Sequence, residues 1–136
     1  MNIQQQVFDK IVSHLRSQGK QSRNTLGDCV YKNTDGTSCA VGCLIEDQFY
    51  SPDIEGLSVD DIFDALSRSL GIPFSDVILL EELLNDLQAT HDRGVSKWEE
   101  EEENLNPGND LLKIWEGCFQ KIAASYNLIY APPQSS

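Results

Sequence analysis

Apolar residues recur three and four positions apart along most of this chain, a spacing that admits amphipathic helices and little else. Ile3, Val7, Phe8, Ile11, Val12 and Leu15 share one stripe across residues 2–18, and Gly19 ends it. Val59, Ile62, Phe63, Leu66 and Leu70 form a second, with Ser58 and Asp61 spaced as in a capping box and Gly71 as the stop. A third, capped by Ser75, carries Val77, Leu80, Leu84, Leu87 and His91 to about Asp92, and Gly94 terminates it. A last helix, from near Asn109 or Asp110, turns Leu111, Leu112, Ile114, Trp115, Cys118, Phe119, Ile122 and Tyr126 inward. No run approaches the ~20 apolar residues that span a bilayer, and the N-terminus lacks the continuous apolar stretch of a signal peptide.

One segment breaks the helical rhythm. In "CVYKNTDGTSC" the pair Asp35-Gly36 signals a tight turn, which predicts a small β-hairpin near residues 28–39. "CAVGCLIEDQFY" then reads as a short helix of about two turns despite Gly42. The glutamates 99–103 repel one another and predict a solvated break, with an acidic docking patch as the alternative. The expected fold class is mainly α: a single-domain helical bundle over residues 1–130 with one hairpin, followed by a disordered tail, 131–136. The expected order is helix, hairpin, helix, helix, helix, helix.

The 136 residues carry a formal net charge of −12. Such a surface repels nucleic-acid phosphate, which argues against general DNA or RNA binding, but it suits a partner with a basic surface. The composition predicts a cytoplasmic protein with reduced thiols.

Three of the four cysteines fall between residues 29 and 43. Across a hairpin, Cys29 would face Cys39, and Cys43 lies one helical turn beyond Cys39. His91, on the apolar stripe of its helix, is the best fourth donor for a tetrahedral zinc site with Cys29, Cys39 and Cys43. Against zinc stand the nine-residue gap before Cys39 and the frequency with which buried cysteine is plain core filling, the leading reading. A third reading makes Cys39 a nucleophile at a helix N-terminus, paired with His91 and with Asp92 as its carboxylate. Neighbouring helical residues point ~100° apart, so Asp92 is poorly placed to orient His91. Cys118 and Trp115 read as core, and His14 as a boundary residue. Trp98 either anchors a loop or sits exposed.

"CVYKNTDGTSCAVGCLIEDQFY", the following "EGLSV" and the later "DLQATHD" resemble a group of small phage and bacterial proteins, over residues 27–92. The resemblance implies a phage or prophage origin, a host-cell cytoplasmic setting, and one constellation of Cys29, Cys39, Cys43, His91 and Asp92. It favours a non-enzymatic protein that binds and modulates or inhibits a host protein. The alternatives are a hydrolase or transferase using Cys39 and His91, and a sponge for a nucleotide signal, with Lys20, Arg23 and Lys32 near the turn as phosphate contacts.

Overall fold

The apolar stripes become four α-helices in the computed structural model: α1 (Ile3–Gln18), α2 (Phe63–Leu70), α3 (Phe74–Glu101) and α4 (Pro107–Tyr126). The structure describes residues 3–25, 29–101 and 107–132, and their side chains except at 92–101 and 107–111. The protein is mainly helical, and the helices pack as a bundle around one apolar cluster. Val7, Phe8, Ile11, Val12 and Leu15 of α1, Leu80, Leu83, Leu84 and Leu87 of α3, and Trp115 and Phe119 of α4 meet there. No described helix is long and apolar enough to cross a membrane.

α3 and α4 make the most extensive helix–helix contact. They run antiparallel, because late residues of α4 meet early ones of α3. The Tyr126 hydroxyl donates to Asp86 at 2.7 Å, whereas Trp115 stacks on His91. α2 packs on α3 and ends at Gly71, whose left-handed backbone lets its N–H reach the Ser67 carbonyl at 2.9 Å.

Several boundaries differ from expectation. α3 continues through Gly94 to Glu101. A helical glycine costs only ~1 kcal/mol against alanine, so without a left-handed turn it is no stop. Ser75 lies inside α3, and the Pro73 carbonyl receives the Asp76 and Val77 amides at the helix start. The Ser58 hydroxyl caps no amide. It donates to the carboxylates of Asp60 and Asp61 at 2.6 and 2.9 Å, and a 3-10 turn, Val59–Ile62, leads into α2. Leu112 is exposed, and Cys118 and Tyr126 are half-buried rather than inward. The expected break at glutamates 99–103 is helical through Glu101, and Ala131 of the expected tail 131–136 is hydrogen-bonded to Arg16. Residues 102–106 and 133–136, and the Trp98 side chain, lie outside the described residues.

The β-hairpin does not form. The Asp35-Gly36 turn is present, with Gly36 at φ 92° and the Asn33 N–H bonded to the Thr37 carbonyl at 2.9 Å. Its arms make only isolated bridges, Arg23 with Cys29 and Lys32 with Ser38. The Lys32–Ser38 bridge holds two cross-arm bonds, Asn33 N–H to the Thr37 carbonyl and Cys39 N–H to the Tyr31 carbonyl, and goes no further. The Tyr31 amide, which the next rung needs, goes to a side chain, as do the outward groups of Lys32 and Ser38. The Glu55 carboxylate accepts the Tyr31 and Lys32 amides at 2.8 and 3.1 Å. The Gln18 amide pairs with both the N–H and the C=O of Ser38, at 2.8 and 2.9 Å. The helix expected over residues 39–50 is likewise replaced by short 3-10 turns, Gly42–Leu44 and Asp47–Phe49, and a third, Pro52–Ile54, follows in the loop beyond.

The C-terminal segment returns to α1. Arg16 forms a two-pronged ion pair with Glu116 of α4, 2.7 Å at each contact, and donates to the Ala131 carbonyl. The Tyr130 hydroxyl donates to Glu116 at 2.6 Å. The Gln5 amide pairs with both backbone groups of Ile129, at 2.8 and 3.0 Å. Burial alone would raise the Glu116 pKa, but the hydrogen bonds from Arg16 and Tyr130 outweigh it and hold the carboxyl below its ordinary value. A lowered folded pKa contributes stability above the ordinary value of 4.5, and that contribution is lost as pH falls through the folded value. Acidification below about pH 4.5 is therefore expected to loosen residues 128–131 before the core, read as faster amide exchange there. Glu116→Gln is expected to show the same looseness at neutral pH and to cost about 1 kcal/mol.

Candidate functional site

His91 is where the sequence pattern points to chemistry, and the α3 stripe buries it completely, at 0% exposure. Its Nε2 accepts the backbone N–H of Ser22 at 2.9 Å. An amide can only donate, so Nε2 carries the lone pair and the ring proton sits on Nδ1. The ring lies on Trp115, with centroids 6.0 Å apart and planes 22° from parallel. The His91 carbonyl accepts from the Gln21 side chain at 2.6 Å. His91 thus clamps the connector after α1 onto α3. Beside it, the Ser22 hydroxyl and the Trp115 indole N–H are buried with no hydrogen-bond partner among the described residues.

Cys39 is also buried at 0%. Its N–H donates to the Tyr31 carbonyl at 3.1 Å, and its sulfur accepts the Gly42 N–H at 3.2 Å. The sulfur therefore caps the 3-10 turn that follows. No α-helix starts at Cys39, so no long helix aims its dipole at the thiol. Cys43 donates its S–H to the Ala40 carbonyl at 3.0 Å, and burial pushes its thiol up to about 12, away from thiolate chemistry. Cys29 bridges Arg23, not Cys39. None of the four cysteines is in a disulfide.

Among the described residues, no three His, Cys, Asp or Glu side chains are grouped so that they would hold a metal ion. The zinc set Cys29, Cys39, Cys43 and His91 accordingly finds no support. The spacing argument for it required a hairpin and a helix at Cys39, and neither forms. The alternative catalytic pair, Cys39 and His91, consists of two residues without solvent exposure, each engaged by a backbone amide. The Asp92 side chain lies outside the described residues. Core thiols remain the reading best matched by Cys39, while Cys43 is only half-buried.

The basic residues considered as phosphate contacts are dispersed. Lys32 is held by Asp47 at 2.8 Å, and that hydrogen bond keeps the Asp47 carboxyl below its usual range. Arg23 donates to the Gln21 side chain at 2.7 Å, and Lys20 is exposed. His14 is the boundary residue expected, with Nε2 2.9 Å from the Ser38 carbonyl.

The sequence pattern missed the polar residues that organise segment 19–58. Gln18 and Glu55 hold the turn's arms, Gln21 reaches the His91 carbonyl, and Gln88 of α3 accepts the Val41 amide at 3.0 Å. Tyr50 donates to Glu55 at 2.7 Å, and burial and that carboxylate push the phenol up to about 12. Amide and carboxylate side chains have no periodic signature, so only a tally of backbone groups lacking strand partners points to them.

The surface carries a different feature. On α3 the outward residues Phe74, Ile78 and Leu79 are exposed at 49%, 56% and 73%. Glu81, Glu82 and Asp86 follow on the same side of the helix, and Glu82 and Asp86 are exposed. No family model, curated protein or solved structure matches this chain.

Proposed function

We propose that this protein is an acidic, non-catalytic binding module that acts by docking on a basic surface of another protein and modulating it. The observation that carries the reading is charge: a net −12 over 136 residues, with no Lys or Arg between Arg68 and Arg93. Fields of that sign speed encounter with a basic partner and disfavour nucleic acid. The internal roles of Cys39 and His91 as clamps favour binding over thiol chemistry. The resemblance to phage and bacterial proteins points to a host protein as the partner, and inhibition as the simplest consequence of occupying its basic surface.

The test is affinity capture with the full-length chain. Retention of a basic host protein at low salt, released at about 1 M salt where the screening length falls to ~3 Å, is the expected result. Absence of any salt-sensitive partner, or turnover of an acyl substrate that is lost on Cys39→Ala, would overturn it.

A further inference from the structure

We infer that the outer face of α3, from Phe74 to Asp86, is the docking surface, and that its occupant is a basic amphipathic helix of the partner protein. The inference rests on the binding-module reading and locates it on one face. At 100° per residue, Phe74, Ile78, Leu79, Glu81, Glu82, Asn85 and Asp86 fall within a sector of about 160°. The opposite sector, Val77, Leu80, Leu83, Leu84 and Leu87, is buried in the core, so the outer face is fixed in orientation. Phe74 and Ile78, four residues apart, form an exposed apolar pair, with Leu79 about 100° further round the helix beyond Ser75 and Glu82, and soluble surfaces seldom keep so much apolar area uncovered. The next two turns carry only carboxylates and Asn85, with Asp86 further held by Tyr126.

This order selects the occupant. A helix with an apolar stripe at three- and four-residue spacing would pack against Phe74, Ile78 and Leu79. Lysine or arginine flanking that stripe would meet Glu81, Glu82 and Asp86. A second copy of this chain fits poorly. A two-fold interface repeats the same residues on both sides, and each copy would bring the same carboxylates and a net −12.

The probe is a synthetic Leu/Lys helix with leucines at i, i+3, i+4 and i+7, compared with a peptide of the same residues shuffled. Amide chemical shifts of the full-length protein give the location, and titration gives the affinity. The amphipathic peptide is expected to shift amides of 74–86 and to bind at least about tenfold tighter than the shuffled one. A double change, Ile78→Glu with Leu79→Glu, is expected to abolish that preference while the fold persists, since both side chains are exposed. Equal binding of the two peptides, or shifts confined to another face, overturns the docking assignment and leaves the acidic-module reading standing. Binding of neither peptide at low salt overturns both. A stable self-dimer that the double change dissolves also overturns the assignment, since a second copy would then be the occupant.

Discussion

Gly42→Ala is expected to cost about 3 kcal/mol or more, enough to remove much of the stability of a domain this size. A Cβ at Gly42 would stand 2.0 Å from the Tyr31 carbonyl oxygen and 2.7 Å from its carbon. Backbone cannot swing aside as a side chain does. Tyr31 is pinned on every side: its carbonyl accepts from Cys39, its amide donates to Glu55, and its hydroxyl donates to the Leu57 carbonyl. Relief would break those bonds together and unseat the cap that Cys39 provides. Urea denaturation measures the cost. Gly117→Ala serves as the contrast, since a Cβ there would meet no other described residue within 4 Å beyond its own helix's backbone and chain neighbours. It is expected to stabilise by about 0.5–1 kcal/mol, through helix propensity alone. Equal, small effects of both changes would mean that Gly42 does not abut Tyr31.

His91→Ala is the second large effect, expected at about 3 kcal/mol. Two losses combine. The side chain leaves a hole against Trp115, and the Ser22 amide is left buried without an acceptor. His91→Phe separates them, because it keeps a ring on the indole and removes only the acceptor. Its cost is expected near 1–3 kcal/mol. Ser22→Ala, which removes a buried hydroxyl with no partner, is expected to be neutral or mildly stabilising. All three are read as shifts in denaturation midpoint. A metal role for His91 would appear instead as a melting temperature that rises with added zinc and falls with chelator.

The helices were legible because burial imposes a period, and that period is written in the apolar residues themselves. The stripe through Val77, Leu80, Leu84 and Leu87 placed His91 inward, and the residue is fully buried. What the imidazole does there was not legible. Its partner is a backbone amide sixty-nine positions away, and a main-chain group has no residue letter to betray it. The hairpin failed for a related reason. Asp35-Gly36 specifies a turn but says nothing of what its arms bond to. Glu55 took the Tyr31 amide from outside the segment, and the pairing stops at the single Lys32–Ser38 bridge. The thiol cluster then dissolved, because its geometry had been inferred from strands and a helix that do not form. Gly42 carried the missing information. Here the glycine inside the apolar run marks a close approach of main chain to main chain, at Tyr31, and not a weak point in a helix.

The pairing of Gln5 with Ile129 and of Arg16 with Glu116 and Ala131 ties the beginning of the chain to its end across as many as 124 positions. A chain emerging from the ribosome can make none of these bonds until residues 116–131 have been synthesised. α1 can cover its stripe earlier, against Gly42–Leu44 and α3, but its outer polar side chains find these partners last. Cutting the protein back to Tyr126 would leave every helix and the Arg16–Glu116 ion pair in place, but would remove the bonds of Gln5 to Ile129 and of Arg16 to Ala131.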